Sequence, residues 1–573
     1  MTVYAPPLAD IGFVLRHVAD LDGVARLPGY AAATPETVDA ILTEAGRLAA
    51  GVLVALNEIG DREPWQLENG VVRSPAGFRE AFDRYRDGGW MGLVFPEEYG
   101  GQGLPWLVNT AVSELWHASA MAFQILPLLT QGAIEALLHH GSPEQQALYI
   151  PKLVAGEWTA AMGLTEPQAG TDLGAVRTRA VPDGDGYRLF GQKIFNTFGD
   201  HDLADNIVCL ALARLPDAPA GTRGLSLFLV PKYLPNPDGS LGPRNDVRCL
   251  KLEHKLGIRG SPTCVTSYGE DGGALGFLVG EQNGGIRCMF TMMNNARLAV
   301  GHEGLGVAER AWQAALAYAQ DRVQGTWEGR PARLVDFPDV RRTLITMRAQ
   351  IAAMRALAYW TASYVDRAQR DPDPQRRDHA ADRVALLTPI VKAWSTDLAQ
   401  EIASSALQCF GGMGYIEETG VAQHFRDARI LSIYEGTNAI QGLDLAGRKL
   451  ALKDGALPRT LMGELEAELP SLPADLRPAL VNALAVLEKT TDHLRDRPEA
   501  GLVHGQAYVR LFGTTLGGFL LARGAAAAAN DPTGASWPGL ARFYLGQLLP
   551  PALSLAEIIR ADLPPLDPDL LVA

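Results

Sequence analysis

The spacing of apolar residues changes period twice along this chain, and that alternation constrains the fold more than any single motif. From residue 36 to about 157 the period is helical, as in "TVDAILTEAGRLAAGVLVALNEIG", "SPAGFREAFDRYRDGGW" and "SPEQQALYIPKLVAGE". Thr34, Ser74 and Ser142 each precede a Pro and read as helix N-caps. From 158 to about 280 the pattern becomes strand-like. "WTAAMGLT", "GYRLFGQKIFNT", "NIVCLALARL" and "GLSLFLVP" are short, β-branched or aromatic, and bounded by turns such as "PDGDG". Strands without intervening helices suggest an antiparallel barrel or sandwich. "LPNPDGSLGPRND" reads as a long loop. From 285 onward long helical stretches return, with "RDPDPQRRDHA" as a polar connector, and an Ala- and Leu-rich helical tail follows residue 451. The expected architecture is mainly α with a central β-domain: an N-terminal extension at 1–35, a helical domain at 36–157, a β-domain at 158–280, a helical bundle at 281–450 and a helical extension at 451–573.

A chain of 573 residues with a net charge of −14 is a poor non-specific binder of phosphate backbones, which disfavours nucleic acid as a partner. The five cysteines are scattered without C-x-x-C spacing, so neither a disulfide framework nor a zinc site is indicated. No basic segment precedes an apolar one at the N-terminus, and no run of 18 apolar residues is found. A cytoplasmic protein without a membrane span is expected.

"GHEGLG" at 301–306 lacks the preceding strand that dinucleotide binding requires and reads as close helix packing. His139 and His140 point to different helix faces, and Ser226 has no nucleophile-elbow context, so metal and serine-hydrolase chemistry are unsupported. "GLTEPQAGTDLGAVRTRA" at 163–180 suits either a plain connection or a loop offering N–H groups and hydroxyls to a ligand. In "RDARILSIYEGTNAIQGLDLAGRKL" Ile430, Ile433 and Tyr434 read as one helical face. Glu435 then falls at a break before Gly436, Thr437 and Asn438. Spacing alone leaves Glu435 as a surface charge or as an acid set in an apolar wall.

"MGLTEPQAGTD", "GQKIFNTFG", "KLGIRGSPTC", "CFGGMGYIEETG" and "RDARILSIYEGTNAIQ" occur in an order and at spacings that resemble the acyl-CoA dehydrogenase family over about residues 36–450. The N-terminal segment and the tail resemble the extended branch that includes 3-methylmercaptopropionyl-CoA dehydrogenases. The resemblance implies a helical domain, a β-barrel-like domain and a four-helix bundle, with FAD between the last two. It also implies α,β-dehydrogenation of an acyl-CoA in β-oxidation, electron-transfer flavoprotein as acceptor, and a homodimer or larger homo-oligomer.

By motif position, Met162, Leu164 and Thr165 match residues at the isoalloxazine ring, and Gly170 and Thr171 match positions near the cofactor and the entering CoA ester. Phe195 stands where many members have Trp, with Thr197 near flavin N5. Arg322 matches a partner of the FAD pyrophosphate, although "VQGTWEGRPARL" departs from the Phe-Gly that usually follows. Gln408 and Gly412 match positions reaching the FAD of a neighbouring subunit, while Thr437 and Asn438 would approach the diphosphate. Glu435 matches the catalytic base, with Gly436 beside the substrate. Some relatives carry the base where this chain has Ala296; Asn294 and Arg297 flank that position and would help hold the base and the CoA ester. An acyl-CoA oxidase using O₂ shares the fold. A DNA-associated flavoprotein of the same superfamily is disfavoured, because residues 451–573 carry no Lys/Arg run.

Overall fold

The computed structural model describes residues 4–562 and 566–572. Near the N-terminus the helix Pro35–Leu48 starts on Thr34, whose hydroxyl accepts the Thr37 N–H at 3.2 Å; the helix Pro143–Val154 starts on a reciprocal Ser142–Gln145 capping box. Ser74 is not a cap. Its helix begins only at Phe78, after Gly77 at φ 80°, and the Ser74 N–H donates to Asp202 instead. The helical region also contains a hairpin, Gln66–Glu68 with Val71–Arg73, turned on Asn69 and Gly70 at φ 51° and 76°. Asn-Gly between short apolar segments is the sequence signal for that turn.

The long helix α1 (Trp106–His140) bends at Ala120 and carries Pro127. Its composition would let it cross a membrane, but 89% of its most apolar window is buried, so it is a core helix.

The β-region comprises β1 (Trp158–Gly163), β2 (Arg179–Asp183), β3 (Gly186–Thr197), β4 (Asn206–Arg214), β5 (Leu225–Pro231), β6 (Val247–Leu252), β7 (Thr263–Tyr268) and β8 (Ala274–Val279). They form one sheet in the order β6-β7-β3-β8-β5-β4-β1, with β2 against β3. The pairing is not wholly antiparallel. β1 runs parallel to β4 from Trp158–Asn206 to Gly163–Ala211, because residues 164–205 form a crossover long enough to return the chain in the same direction. The "LPNPDGSLGPRND" segment is also no plain loop: Tyr233–Pro235 pairs with Leu241–Arg244.

Three long helices follow, α2 (Gly285–Asp321), α3 (Pro338–Arg370) and α4 (Pro374–Cys409). "VQGTWEGRPAR" forms a hairpin between α2 and α3, turned at Glu328 and Gly329. The expected connector before α4 shrinks to residues 371–373, because Asp373 caps the Gln375 N–H at 2.8 Å and Pro374 opens the helix at once. Within α2, "GHEGLG" is a packing motif. A Cβ on Gly301 would stand 2.6 Å from Val391, and one on Gly306 would stand 2.6 Å from the His117 Cβ. Buried Arg355 on α3 ties this layer together by binding Glu114 of α1 at 2.5 Å and Glu309 of α2 at 2.7 Å.

Beyond Glu435 lie the short helix α5 (Asn438–Leu443) and, in the C-terminal extension, α6 (Pro498–Ala527). The extension packs on the core of its own chain. Trp394 of α4 donates its indole N–H to Thr514 at 3.2 Å, and Arg510 grips both oxygens of Glu401. Gly442 and Gly505 let the α5 and α6 backbones meet; a Cβ on Gly505 would stand 2.7 Å from the Gly442 carbonyl carbon.

Candidate functional site

The α-helix Val421–Ala428 gives way to a tight turn over Arg429–Ser432 before the chain reaches Glu435. Ile433 is therefore 48% exposed and does not share a buried face with Tyr434 as its spacing suggested. Glu435 and Gly436 both lie in the left-handed region, at φ 54° and 84°. For a glutamate this backbone is costly by roughly 1–3 kcal/mol and persists only where neighbours over-determine it. Here they do. The Glu435 carbonyl accepts from Arg297 Nε and Gln441 Nε2, each at 3.3 Å, and the Gly436 carbonyl accepts from Lys392 Nζ at 2.8 Å. Thr437 caps α5 by accepting the Ile440 N–H.

Asn438 is 2% exposed. Its amide is consumed internally: the oxygen accepts from Lys392 Nζ at 2.8 Å, and the nitrogen donates to Asp397 at 2.6 Å and to the Ala393 carbonyl at 3.2 Å. The Asn438 side chain thus braces the turn.

Burial pushes the Glu435 carboxyl above the ordinary glutamate range, with Arg297 and Lys392 working against the rise. Burial also lowers Lys392 to about 8, partly countered by Glu435. Nearby Glu303 on α2 accepts a hydrogen bond from the Tyr434 hydroxyl, and burial raises its carboxyl to about 8. Ala296, two turns before Glu303, is buried.

A second wall is built at the ends of β1 and β3. Buried Met162 leads to half-buried Leu164 and Thr165, and the Ile194 N–H donates to the Thr165 carbonyl at 2.9 Å. Phe195 has φ 56° and is 61% exposed, an unusual state for a phenyl ring, while Thr197 is half-buried. Gly170 and Thr171 are exposed on the connecting loop. That loop is tied down by Glu166, which accepts from Lys193 Nζ at 2.8 Å, from the Arg177 and Thr178 N–H groups at 2.7 and 3.0 Å, and from the Thr178 hydroxyl at 2.6 Å. Burial opposes the charge on Glu166, but Lys193 and these donors override it and hold the carboxyl at about 2. The loop between β6 and β7 is tied to the helix that precedes the Glu435 turn, where the Ile258 N–H donates to Asp427 at 2.5 Å.

Arg322, Gln408 and Gly412 line one pocket together with Tyr318, Phe410 and Gly411. They form a single patch, next to exposed Met413, Tyr415 and Ile416. Nothing stands within 4 Å of a Cβ built on Gly411 or Gly412, so the backbone there is open to a ligand. An exposed ring over one wall and a guanidinium beside open glycine backbone on another fit the ring and the diphosphate of FAD. Asn294 is exposed and lines a separate cavity of about 160 Å³ between α1, α2 and α3, whose walls do not include Glu435. Of the flanking pair, it is Arg297 that meets the base. No group of metal-ligating side chains is found among the described residues.

Lys392, Glu303, Tyr434 and the Lys193–Glu166 pair were missed by motif reading. A lone Lys in the apolar run "LLTPIVKAW" was the available signal for Lys392. The others depend on contacts between distant segments.

The chain matches three family models: "Acyl-CoA dehydrogenase, N-terminal domain" over residues 61–157, "middle domain" over 161–269 and "C-terminal domain" over 283–450. It is 48% identical over 469 residues to 3-methylmercaptopropionyl-CoA dehydrogenase of Ruegeria pomeroyi, covering 81% of this chain and 79% of that one. Caenorhabditis elegans ACDH-11, solved in complex with C11-CoA, superposes with a TM-score of 0.78 at 23% identity, over 96% of this chain and 93% of that one. An acyl-CoA dehydrogenase of Bacillus anthracis complexed with FAD gives 0.70 at 21% identity, over 96% and 95%. At those identities the two structures speak to fold alone.

Proposed function

The chain belongs to the acyl-CoA dehydrogenase family and dehydrogenates an acyl-CoA; from that premise we propose that Glu435 is the base that removes the α-proton of the thioester. The observation carrying this reading is the strained turn at Glu435, clamped by Arg297, Gln441 and Lys392, with its carboxyl held above the ordinary range by burial. A carboxylate so placed is a stronger base toward a weak carbon acid. The Glu435 N–H would donate to the thioester oxygen as enolate-like charge develops, and the clamp would fix base and Cα–Cβ bond in line. Gly436 lies beside the ester, with Thr171 toward the CoA moiety and Arg297 holding the turn that carries the base.

FAD, when bound, supplies the acceptor for the hydride that leaves the β-carbon. Met162, Leu164, Thr165, Phe195 and Thr197 would hold its ring, with Gly170 and Thr171 beside it. The patch of Arg322, Gln408 and Gly412 would take the diphosphate of a neighbouring subunit's FAD, with Thr437 near the diphosphate in its own subunit. This reading implies a homodimer or larger, supported by the exposed apolar side chains around that patch. Electron-transfer flavoprotein is the proposed acceptor, and the cytoplasm the proposed compartment.

The test is flavin bleaching by butanoyl-CoA without oxygen. Glu435→Gln keeps shape and backbone but cannot take the proton, so reduction should slow by ~10²- to 10⁴-fold with FAD content unchanged. Bleaching at the wild-type rate would remove Glu435 from catalysis. Peroxide formed at the turnover rate would convert the reading to an oxidase.

A further inference from the structure

Ala296, Val300 and Glu303 recur at helical spacing on one face of α2, all with 1% exposure. This face meets the turn that carries Glu435. Glu303 accepts from the hydroxyl of Tyr434, the residue before Glu435, and Arg297 on the same helix holds the Glu435 carbonyl. The first two side chains of the stripe are small and apolar; the third is a carboxyl. From Ala296 to Glu303 the helix advances about 10 Å, and the Glu303 side chain leans back toward Ala296, so its carboxyl lies within reach of a short chain starting at Glu435.

Glu303 differs from the other buried glutamates of the bundle. Glu114 and Glu309 are each paired with Arg355. Glu303 has no ion-pair partner among the described residues, and the nearby Lys392 ammonium is spent on Gly436 and Asn438. The Tyr434 hydroxyl satisfies one of about four acceptor positions. Burial raises this carboxyl to about 8, with Glu435 adding to the rise and Tyr434 and Lys392 opposing it. The rise favours the protonated form, which can donate as well as accept. An alkyl chain laid against it would desolvate a polar group without pairing it, whereas a hydroxyl or carbonyl would pair with it. An anionic chain end would bring a third acidic group beside Glu303 and Glu435, whose proximity already raises the Glu303 carboxyl.

We infer that Glu303, braced by Tyr434, forms a polar far wall of the acyl site and selects a short acyl group whose end carries a neutral hydrogen-bonding group over an extended alkyl chain. This rests on Glu435 being the base.

The experiment measures kcat/KM of the FAD-loaded enzyme with butanoyl-CoA, 4-hydroxybutanoyl-CoA and octanoyl-CoA, for wild type, Glu303→Leu and Glu303→Gln. Wild type should favour 4-hydroxybutanoyl-CoA over octanoyl-CoA by at least ~10-fold. Glu303→Leu should reverse that order, and Glu303→Gln, which still pairs with Tyr434 and a hydroxyl, should keep it. A residue that merely positions the turn would lower all three substrates by a common factor. A common factor, or a wild type that prefers octanoyl-CoA, overturns the inference while leaving the proposed base intact. Loss of the wild-type order in Glu303→Gln with FAD retained also overturns it. A wild type whose flavin is reduced by none of the three overturns the base assignment and the inference together.

Discussion

Replacing Lys193 by Met tests whether the buried Lys193–Glu166 pair holds the proposed flavin wall in shape. Lys193 is 0% exposed and donates to Glu166 at 2.8 Å and to the Leu164 carbonyl at 3.0 Å, so it pins both sides of Thr165. Met fills nearly the same volume, which keeps any packing loss small. What remains is a buried carboxylate without its counter-charge, a defect worth about 3–5 kcal/mol. The low end applies, because the Arg177 and Thr178 N–H groups and the Thr178 hydroxyl still serve Glu166. If about 3 kcal/mol shifts the loop away from its binding-competent form, FAD affinity should weaken by up to ~10²-fold. Fluorescence titration of the apoprotein with FAD measures this. The pH dependence carries a sign. In wild type the Glu166 carboxyl is held at about 2, below its usual value, so its contribution is present above about 4.5 and is lost as pH falls toward 2. In Lys193→Met the counter-charge is gone and only the Arg177 and Thr178 donors oppose burial, so that carboxyl rises from its wild-type value, and the deficit should be largest at pH 8 and shrink on acidification. Adding Glu166→Gln, which removes the charge and places an amide donor near Leu164, should restore most of the affinity. Wild-type affinity in Lys193→Met, or a deficit that grows as pH falls, refutes the argument.

Gly306→Val should prevent soluble accumulation of the chain or lower its thermal midpoint sharply, because the added Cβ would stand 2.6 Å from His117 and 2.7 Å from the Ala118 backbone; a wild-type melting curve contradicts this. Arg322→Ala should loosen FAD by about 1.5–3 kcal/mol, the scale of a charge-assisted hydrogen bond, and Arg322→Lys should recover only part, since an ammonium cannot bind a diphosphate in forked geometry; equal titrations for Lys and Arg contradict it. Trp394→Ala should cost about 3–5 kcal/mol by opening a cavity under α6, and limited proteolysis should then cut the extension first; an unchanged digestion pattern contradicts the packing described.

The period of the apolar pattern located the three long helices and most strands because each buries one face or both, and burial writes itself into sequence at fixed spacing. Partner choice between strands leaves no such mark. "WTAAMGLT" and "NIVCLALARL" are equally apolar whether paired parallel or antiparallel, so β1 beside β4 was not legible. The hairpins at Asn69–Gly70 and Glu328–Gly329 were legible in principle from their turn residues, but short strands between helices give too little alternation to stand out. Glu435 was found by its motif, and its φ of 54° gives the Glu-Gly sequence a reason. The bracing by the Asn438 side chain was not legible, because its four hydrogen-bond partners all lie on α4, more than 40 residues earlier in the chain. Glu303, Lys392 and Lys193 act through contacts spanning 27 to 131 residues, which no local window contains.

The docking of α6 on α4 and α5 has a consequence for the order in which the molecule is made. The Glu435 turn leads directly into α5, and α5 rests on backbone at Gly505, some 70 residues later in the chain. At about 5–20 residues per second a ribosome has released the whole proposed catalytic motif well before the surface that supports it exists. The nascent protein thus passes through a stage in which α5 is braced by α4 through Asn438 but lacks its second support at Gly505. Chain termination between α5 and α6 should therefore leave the proposed catalytic turn with one of its two supports missing and Trp394 uncovered, and so lower activity.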